Sequence, residues 1–132
     1  MRSPETKNRN GQNGVEPADV WNARRFIEQN SANELSLTTV AKAVNTSPTH
    51  FSEKFKSVTG INFVDYVARR RFGNACQLLQ ESDLPVSEIA FAVGFQSLSQ
   101  FNRVFKKLSG KSPRAYRLFK LGGDLASDQR IK

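Results

Sequence analysis

A segment near the middle of the chain occurs a second time 50 residues later. Six of the twenty positions 47–66 are identical to their counterparts at 97–116, where average residue usage predicts about one. The identical pairs are Ser47 and Ser97, Phe51 and Phe101, Phe55 and Phe105, Lys56 and Lys106, Gly60 and Gly110, and Tyr66 and Tyr116. Such an internal repeat predicts that the chain folds as two copies of one supersecondary unit.

The repeat extends upstream with a spacing of 49 residues, so the turn of the second copy is one residue longer. The upstream pairs are Ala41 and Ala90, Ala43 and Ala92, and Val44 and Val93. Asn45 lies opposite Gly94, and these two residue types tolerate a positive φ best. The turn is therefore predicted to repeat even where the residue differs.

Hydrophobic periodicity and capping residues predict an all-α fold of about seven helices. Each copy combines a short helix, a turn with Asn or Gly, and a second helix that a serine can cap. This order is typical of a helix-turn-helix, whose second helix enters the major groove of DNA. Unbroken helical periodicity after Asn62 predicts one long helix that links the two copies.

These elements divide the chain into five predicted segments. The first helix-turn-helix subdomain covers 17–62, the linker helix 63–81 and the second subdomain 82–121. Residues 1–16 are predicted to be a flexible tail or linker, and 122–132 a polar tail. About eighteen linker residues span roughly 27 Å, which suits two recognition helices one DNA turn, about 34 Å, apart.

Positive charge is concentrated in the second half of the chain. The formal net charge is +8, of which residues 1–62 carry +2 and residues 63–132 carry +6. No acidic residue occurs from Ile89 to Gly123. Such a basic stretch suits phosphate groups of a nucleic acid or an anionic membrane surface, although a solvated face explains the charge equally well.

Composition excludes several classes of protein. The chain has one cysteine, Cys76, and one histidine, His50, so neither a disulfide framework nor a common zinc site is possible. We find no catalytic constellation and expect no enzyme activity, no cofactor and no metal. No segment is long and apolar enough to predict a membrane span, and nothing resembles a secretory signal.

The segment 94–117, GFQSLSQFNRVFKKLSGKSPRAYR, closely resembles the signature of AraC/XylS-type transcription regulators. Residues 41–66 resemble the first helix-turn-helix of the same domain, and the resemblance covers about 17–121. It implies a seven-helix domain of a bacterial, cytoplasmic transcription regulator, usually an activator, that binds double-stranded DNA and touches RNA polymerase. Relatives often carry an effector-sensing domain, for which this chain has no room. We therefore expect a stand-alone regulator, or a C-terminal domain preceded by the linker 1–16.

The exposed side chains near the start of each second helix are the predicted base readers. They are Thr49, His50, Ser52 and Glu53 in the first copy, and Leu98, Ser99, Gln100, Asn102 and Arg103 in the second. The predicted phosphate contacts are Lys56, Lys106, Lys107, Lys111 and Arg114. Arg103 is the strongest reader, because arginine can bind guanine O6 and N7 with two hydrogen bonds. The alternative for Arg103 is a solvent-facing side chain.

Three candidates have competing interpretations. Gln100 could bond adenine, or it could complete a capping box with Ser97. Glu53 stands where similar domains often have arginine; it could accept a hydrogen bond from cytosine, or pair with Lys56 on the helix surface. His50 is expected to pack or to contact phosphate rather than read a base.

A basic helical module that binds proteins, without sequence-specific DNA binding, is the alternative function. Salt-sensitive and sequence-selective binding to duplex DNA distinguishes the two.

Overall fold

The computed structural model describes residues 16–122, which form seven α-helices. Their bounds are α1 Ala18–Asn30, α2 Leu37–Ala43, α3 Pro48–Thr59, α4 Phe63–Glu81, α5 Val86–Ala92, α6 Leu98–Ser109 and α7 Pro113–Leu121. Residues 16–122 contain no β-strand, so the predicted all-α fold is confirmed. The predicted tails 1–16 and 122–132 lie outside the described residues, except for Glu16 and Gly122.

Polar side chains begin most of these helices, as the sequence predicts. Each side-chain oxygen accepts a hydrogen bond from a backbone N–H three residues later, which has no partner inside the helix. The bonds join Ser36 to Thr39, Ser47 to His50, Asn62 to Asp65, Ser97 to Gln100, and Ser112 to Ala115, all at 2.9–3.1 Å.

Glycines end α3 and α6 in the same way. Gly60 and Gly110 have φ of 86° and 81°, a conformation that strains any residue with a Cβ. Beside each glycine a hydroxyl closes the helix end. Thr59 donates to the Phe55 carbonyl, and Ser109 donates to the carbonyl of Phe105. The same two hydroxyls accept the N–H groups two residues later.

The chain divides into two compact units, and the division lies inside α4 between Val67 and Ala68. The first unit packs α1, α2, α3 and the start of α4 around nine buried residues: Val20, Ala23, Ile27, Val40, Ala41, Phe51, Phe55, Phe63 and Val67. The second unit packs the rest of α4 with α5, α6 and α7 around eight: Ala75, Leu79, Ile89, Ala90, Val93, Phe95, Phe101 and Phe105.

The internal repeat extends to aromatic geometry. The Tyr66 ring meets the Phe55 ring edge-on with centroids 5.0 Å apart, and Tyr116 meets Phe105 edge-on at 5.2 Å. Aromatic pairs prefer this arrangement over a face-to-face stack. Each unit is therefore built around an equivalent pair of rings.

The turns differ by one residue, as the spacing of 49 indicates. Asn45 and Gly94 both have positive φ, 61° and 112°. The next residue in each copy, Thr46 or Phe95, donates its N–H across the turn, at 3.0 Å in both cases. Phe95 is buried in the second core, a position that helical periodicity does not reveal because Phe95 belongs to the turn.

Candidate nucleic-acid interface

Helices α3 and α6 bury only one side each. Phe51 and Phe55 anchor α3 to the first core, and Phe101 and Phe105 anchor α6 to the second. These pairs are four residues apart, so they lie on one side of a helix. Each helix begins directly after the turn. Its opposite side faces solvent and is free to contact a ligand.

On α6 the exposed side carries four of the predicted contacts. Ser99, Asn102, Arg103 and Lys106 follow the i, i+3, i+4, i+7 spacing of one helix face, and all four are exposed. Arg103 forms no hydrogen bond or ion pair with any other residue in the range 16–122. Its guanidinium donors are therefore available to a bound molecule.

On α3 the equivalent face is nearly uncharged overall. Thr49, Glu53 and Lys56 are exposed and Ser52 is partly buried. Within the described part of the chain Glu53 and Lys56 form no ion pair, so the pairing that their spacing allows is not present. The Glu53 carboxylate remains a free negative charge on this face.

A second lysine of α3 is occupied inside the first unit. The Lys54 ammonium donates to the Asp19 carboxylate in the first turn of α1 at 3.1 Å. Both side chains are partly buried. This bond fixes α3 against α1 and withdraws one positive charge from the exposed face. Sequence reasoning missed it, because 35 residues separate the partners.

Gln100 makes a local hydrogen bond. Its Oε1 accepts the backbone N–H of Gln96 at 3.2 Å, one residue earlier than a standard capping box with Ser97. Gln96 is the additional residue of the longer turn. Reading adenine with both ends of an amide also uses this oxygen, which has a second lone pair. The bond to Gln96 fixes the orientation of the Gln100 amide at the turn.

The first turns of the two helices hold the remaining predicted readers. His50 is exposed, which excludes the interior packing role that the sequence left open. Leu98 is 38% exposed and lines an open groove of about 680 Å³ together with Asn102, Pro113 and Arg114. This groove lies within the second unit, beside the start of α6.

Positive side chains surround α6. Lys106, Lys107, Lys111 and Arg114 are all exposed, as is Lys56 at the end of α3. The Lys111 ammonium lies 4.8 Å from the centroid of the Phe119 ring, a favourable cation–π distance. The second unit therefore presents exposed positive side chains from α6 to the first turn of α7.

Neither a metal-binding cluster nor a thiol of lowered pKa occurs among residues 16–122. No cluster of three or more His, Cys, Asp or Glu that could hold a metal occurs there. Burial raises the pKa of the Cys76 thiol, which hydrogen-bonds with Tyr116. A raised pKa disfavours the reactive thiolate. None of the helices in this part of the chain has the length and apolarity needed to cross a bilayer.

Comparison with known proteins places this geometry in context. Residues 40–118 match a family described as "Helix-turn-helix domain". The chain is 39% identical over 95 residues to the regulatory protein PocR of Salmonella typhimurium, covering 72% of this chain and 31% of PocR. It is 35% identical over 97 residues to the transcriptional activator AarP of Providencia stuartii, covering 74% of this chain and 72% of AarP.

A solved structure is also similar. The DNA-binding domain of AdpA, a global transcriptional factor solved in complex with a target DNA, matches with a TM-score of 0.72 and 27% identity, covering 75% of this chain and 89% of that domain. The chain spans about a third of the length of the first curated relatives it matches.

Proposed function

Because the chain belongs to the AraC-type helix-turn-helix family of DNA-binding transcription regulators, we propose that its two units read one DNA site together. In this proposal α3 and α6 enter two successive major-groove segments on one face of the duplex. The predicted subdomains 17–62 and 82–121 act as the two readers, and 63–81 as the linker.

The observation that carries the proposal is the repetition of an exposed, capped helix after the same turn. Both α3 and α6 start at a serine cap, end at a left-handed glycine and leave one polar face uncovered. A recognition helix needs such an uncovered face, since its first turns contact base edges while its other side packs on the rest of the domain. Two such helices in one chain favour a non-palindromic site bound by a monomer.

We assign base reading to the exposed side chains in the first two turns of α3 and α6. Arg103 reads guanine, because its guanidinium has no intramolecular partner among the described residues. Asn102 and Ser99 lie on the same face and complete the α6 contact. Lys106, Lys107 and Arg114 bind phosphates. Gln100 positions the turn through Gln96 rather than reading a base.

Regulation completes the proposal. The relative AarP is described as a transcriptional activator, which supports an activating role for this chain. In this proposal an activator touches RNA polymerase at the promoter. Such a regulator works on the bacterial chromosome in the cytoplasm. The proposal assigns no catalytic step to this chain.

Insertion of base pairs into the selected site tests the proposal. The preferred site is first obtained by selection from random duplexes, and five base pairs are then inserted between its two halves. Because half a helical turn moves one half-site to the opposite face of the duplex, tight binding should be lost. Unchanged affinity after the five-base-pair insertion contradicts the two-groove arrangement.

A further inference from the structure

We infer that the second helix-turn-helix unit alone holds the protein on DNA of arbitrary sequence, and that the first unit docks only where its preferred bases are present. This inference deepens the proposed function, because it requires that both units can reach a major groove.

The charges at structurally equivalent positions differ sharply between the units. Residues 47–66 carry two lysines and two carboxylates, a formal net charge of zero. Residues 97–116 carry five cations and no carboxylate, a formal net charge of +5. Because the two segments fold alike, from serine cap to edge-on tyrosine, the difference reflects the side chains and not the backbone.

Individual pairs show where the charge is lost. Glu53 occupies the position of Arg103, two residues after the first buried phenylalanine of each helix. Val64 occupies the position of Arg114, and its side chain is 72% exposed. An exposed valine near a phosphate adds no attraction, and an exposed carboxylate adds repulsion.

Ion pairing within the protein widens the difference in available positive charge between the two segments. Of the two cations in the first segment, Lys54 is bound to Asp19 at 3.1 Å, which leaves Lys56 to face phosphate. Arg103, Lys106 and Lys107 have no intramolecular partner among residues 16–122. The segment 97–116 therefore offers several free cations, whereas the segment 47–66 offers one.

Binding to arbitrary DNA depends almost entirely on such free cations. Each phosphate that a protein neutralises releases condensed counterions, and this release supplies most of the affinity for non-specific sequence. The segment 47–66, with a formal net charge of zero, gains little from counterion release. The first unit gains affinity only when hydrogen bonds to matching bases form. It therefore adds selectivity, while the second unit keeps the protein bound to DNA of other sequences.

The identical pair Lys56 and Lys106 provides a matched test. Each is exposed, and each lies four residues before the glycine that ends its helix. Affinity for the selected site and for a random duplex is measured from 50 to 200 mM salt for Lys56→Ala and Lys106→Ala. On random duplex we expect Lys106→Ala to reduce the slope of log affinity against log salt by about 0.9, and Lys56→Ala by less than a third of that. On the selected site both variants should reduce the slope by about 0.9.

The Arg25→Gln variant controls for total charge. Arg25 lies in α1 against the Trp21 ring, outside the proposed interface, so its loss should change the slope no more than Lys56→Ala does on random duplex. Circular dichroism of each variant confirms that the helices are retained.

The outcomes separate the inference from the proposed function. Equal slope losses for Lys56→Ala and Lys106→Ala on random duplex mean that both units are docked there, which overturns the inference and leaves two-unit reading intact. A wild-type protein that binds selected and random duplexes with equal affinity contradicts the proposed function itself.

Discussion

The Nε of Arg117 in α7 donates a hydrogen bond of 3.0 Å to the carbonyl oxygen of Leu79 in the last turn of α4. A second guanidinium nitrogen donates to the carbonyl of Ser82 at 3.1 Å. The last carbonyls of a helix lack partners within the helix, and an arginine there also suits the negative end of the helix dipole. Arg117 is thus a structural residue of the second unit. Judged by charge alone, it would have been taken for another phosphate contact.

Arg117→Ala should lower the free energy of unfolding by about 2 kcal/mol, because it removes two charge-assisted bonds and leaves partly buried carbonyls without these partners. Arg117→Lys should give a smaller loss, since one ammonium cannot reproduce the two-pronged contact. Urea denaturation measures both. Arg114→Ala, in the same helix but exposed, is the control and should leave stability nearly unchanged; equal losses at both positions refute the capping role.

Arg103→Ala should weaken binding to the preferred site by about 1–3 kcal/mol and relax the preference at one position, because a bidentate contact to guanine is lost. Competition binding with a panel of single-base variants measures this. Lys106→Ala, one turn along α6, should instead lower affinity for every duplex in the panel. A uniform loss for Arg103→Ala as well shows that Arg103 is only a phosphate anchor.

Glu53→Ala should tighten binding to the preferred duplex, where α3 is docked, because it removes an unpaired negative charge from the face of α3. Binding to a random duplex should change much less. The gain should shrink as salt rises. Glu53→Gln, which keeps the size and removes the charge, is the matched variant. Weaker binding to the preferred site alone, with one C·G preference relaxed, assigns Glu53 to cytosine N4 instead.

Stability should fall as the pH rises above about 9. Burial raises the pKa of Cys76 above its ordinary 9.0, and burial and the bond to Cys76 raise the pKa of Tyr116 above 10.0. Below the ordinary pKa both the folded and the unfolded protein keep these protons. Above it the unfolded chain loses them first, and this loss shifts the equilibrium toward the unfolded state. Unfolding of wild type and Cys76→Ala from pH 7 to 10.5 tests this. The variant should lose less stability over that range, and identical pH profiles contradict the prediction.

Helix starts and ends are the features that sequence predicts best here. Ser47 followed by Pro48, and Gly60 twelve residues later, are local signals whose chemistry acts within one turn. The predicted helix that ends at Gly110 is likewise confirmed, because the same signals recur. Periodicity then identifies most of the core, since every apolar residue of a helix reports its own face.

Contacts between distant segments are what sequence does not predict. Asp19 and Lys54 are both charged residues in helices, and nothing in either segment indicates that they meet. Phe95 lies in a turn, where no period applies. For Glu53 and Lys56 the sequence suggests a contact that the structure lacks. Their spacing permits an ion pair, but an exposed ion pair lowers the free energy little relative to two hydrated charges.

Thr59 and Ser109 perform the same two hydrogen bonds with different side chains, while Glu53 and Arg103 sit on equivalent sites with opposite charges. The hydroxyl at each helix end bonds to the backbone and stabilises the folded chain. The side chains of Glu53 and Arg103 contact only solvent or bound DNA. After duplication, each copy could thus acquire a new base preference through substitutions that left its folding free energy nearly untouched. Two readers in one chain can diverge independently, and the operator they recognise can lose its own internal symmetry step by step.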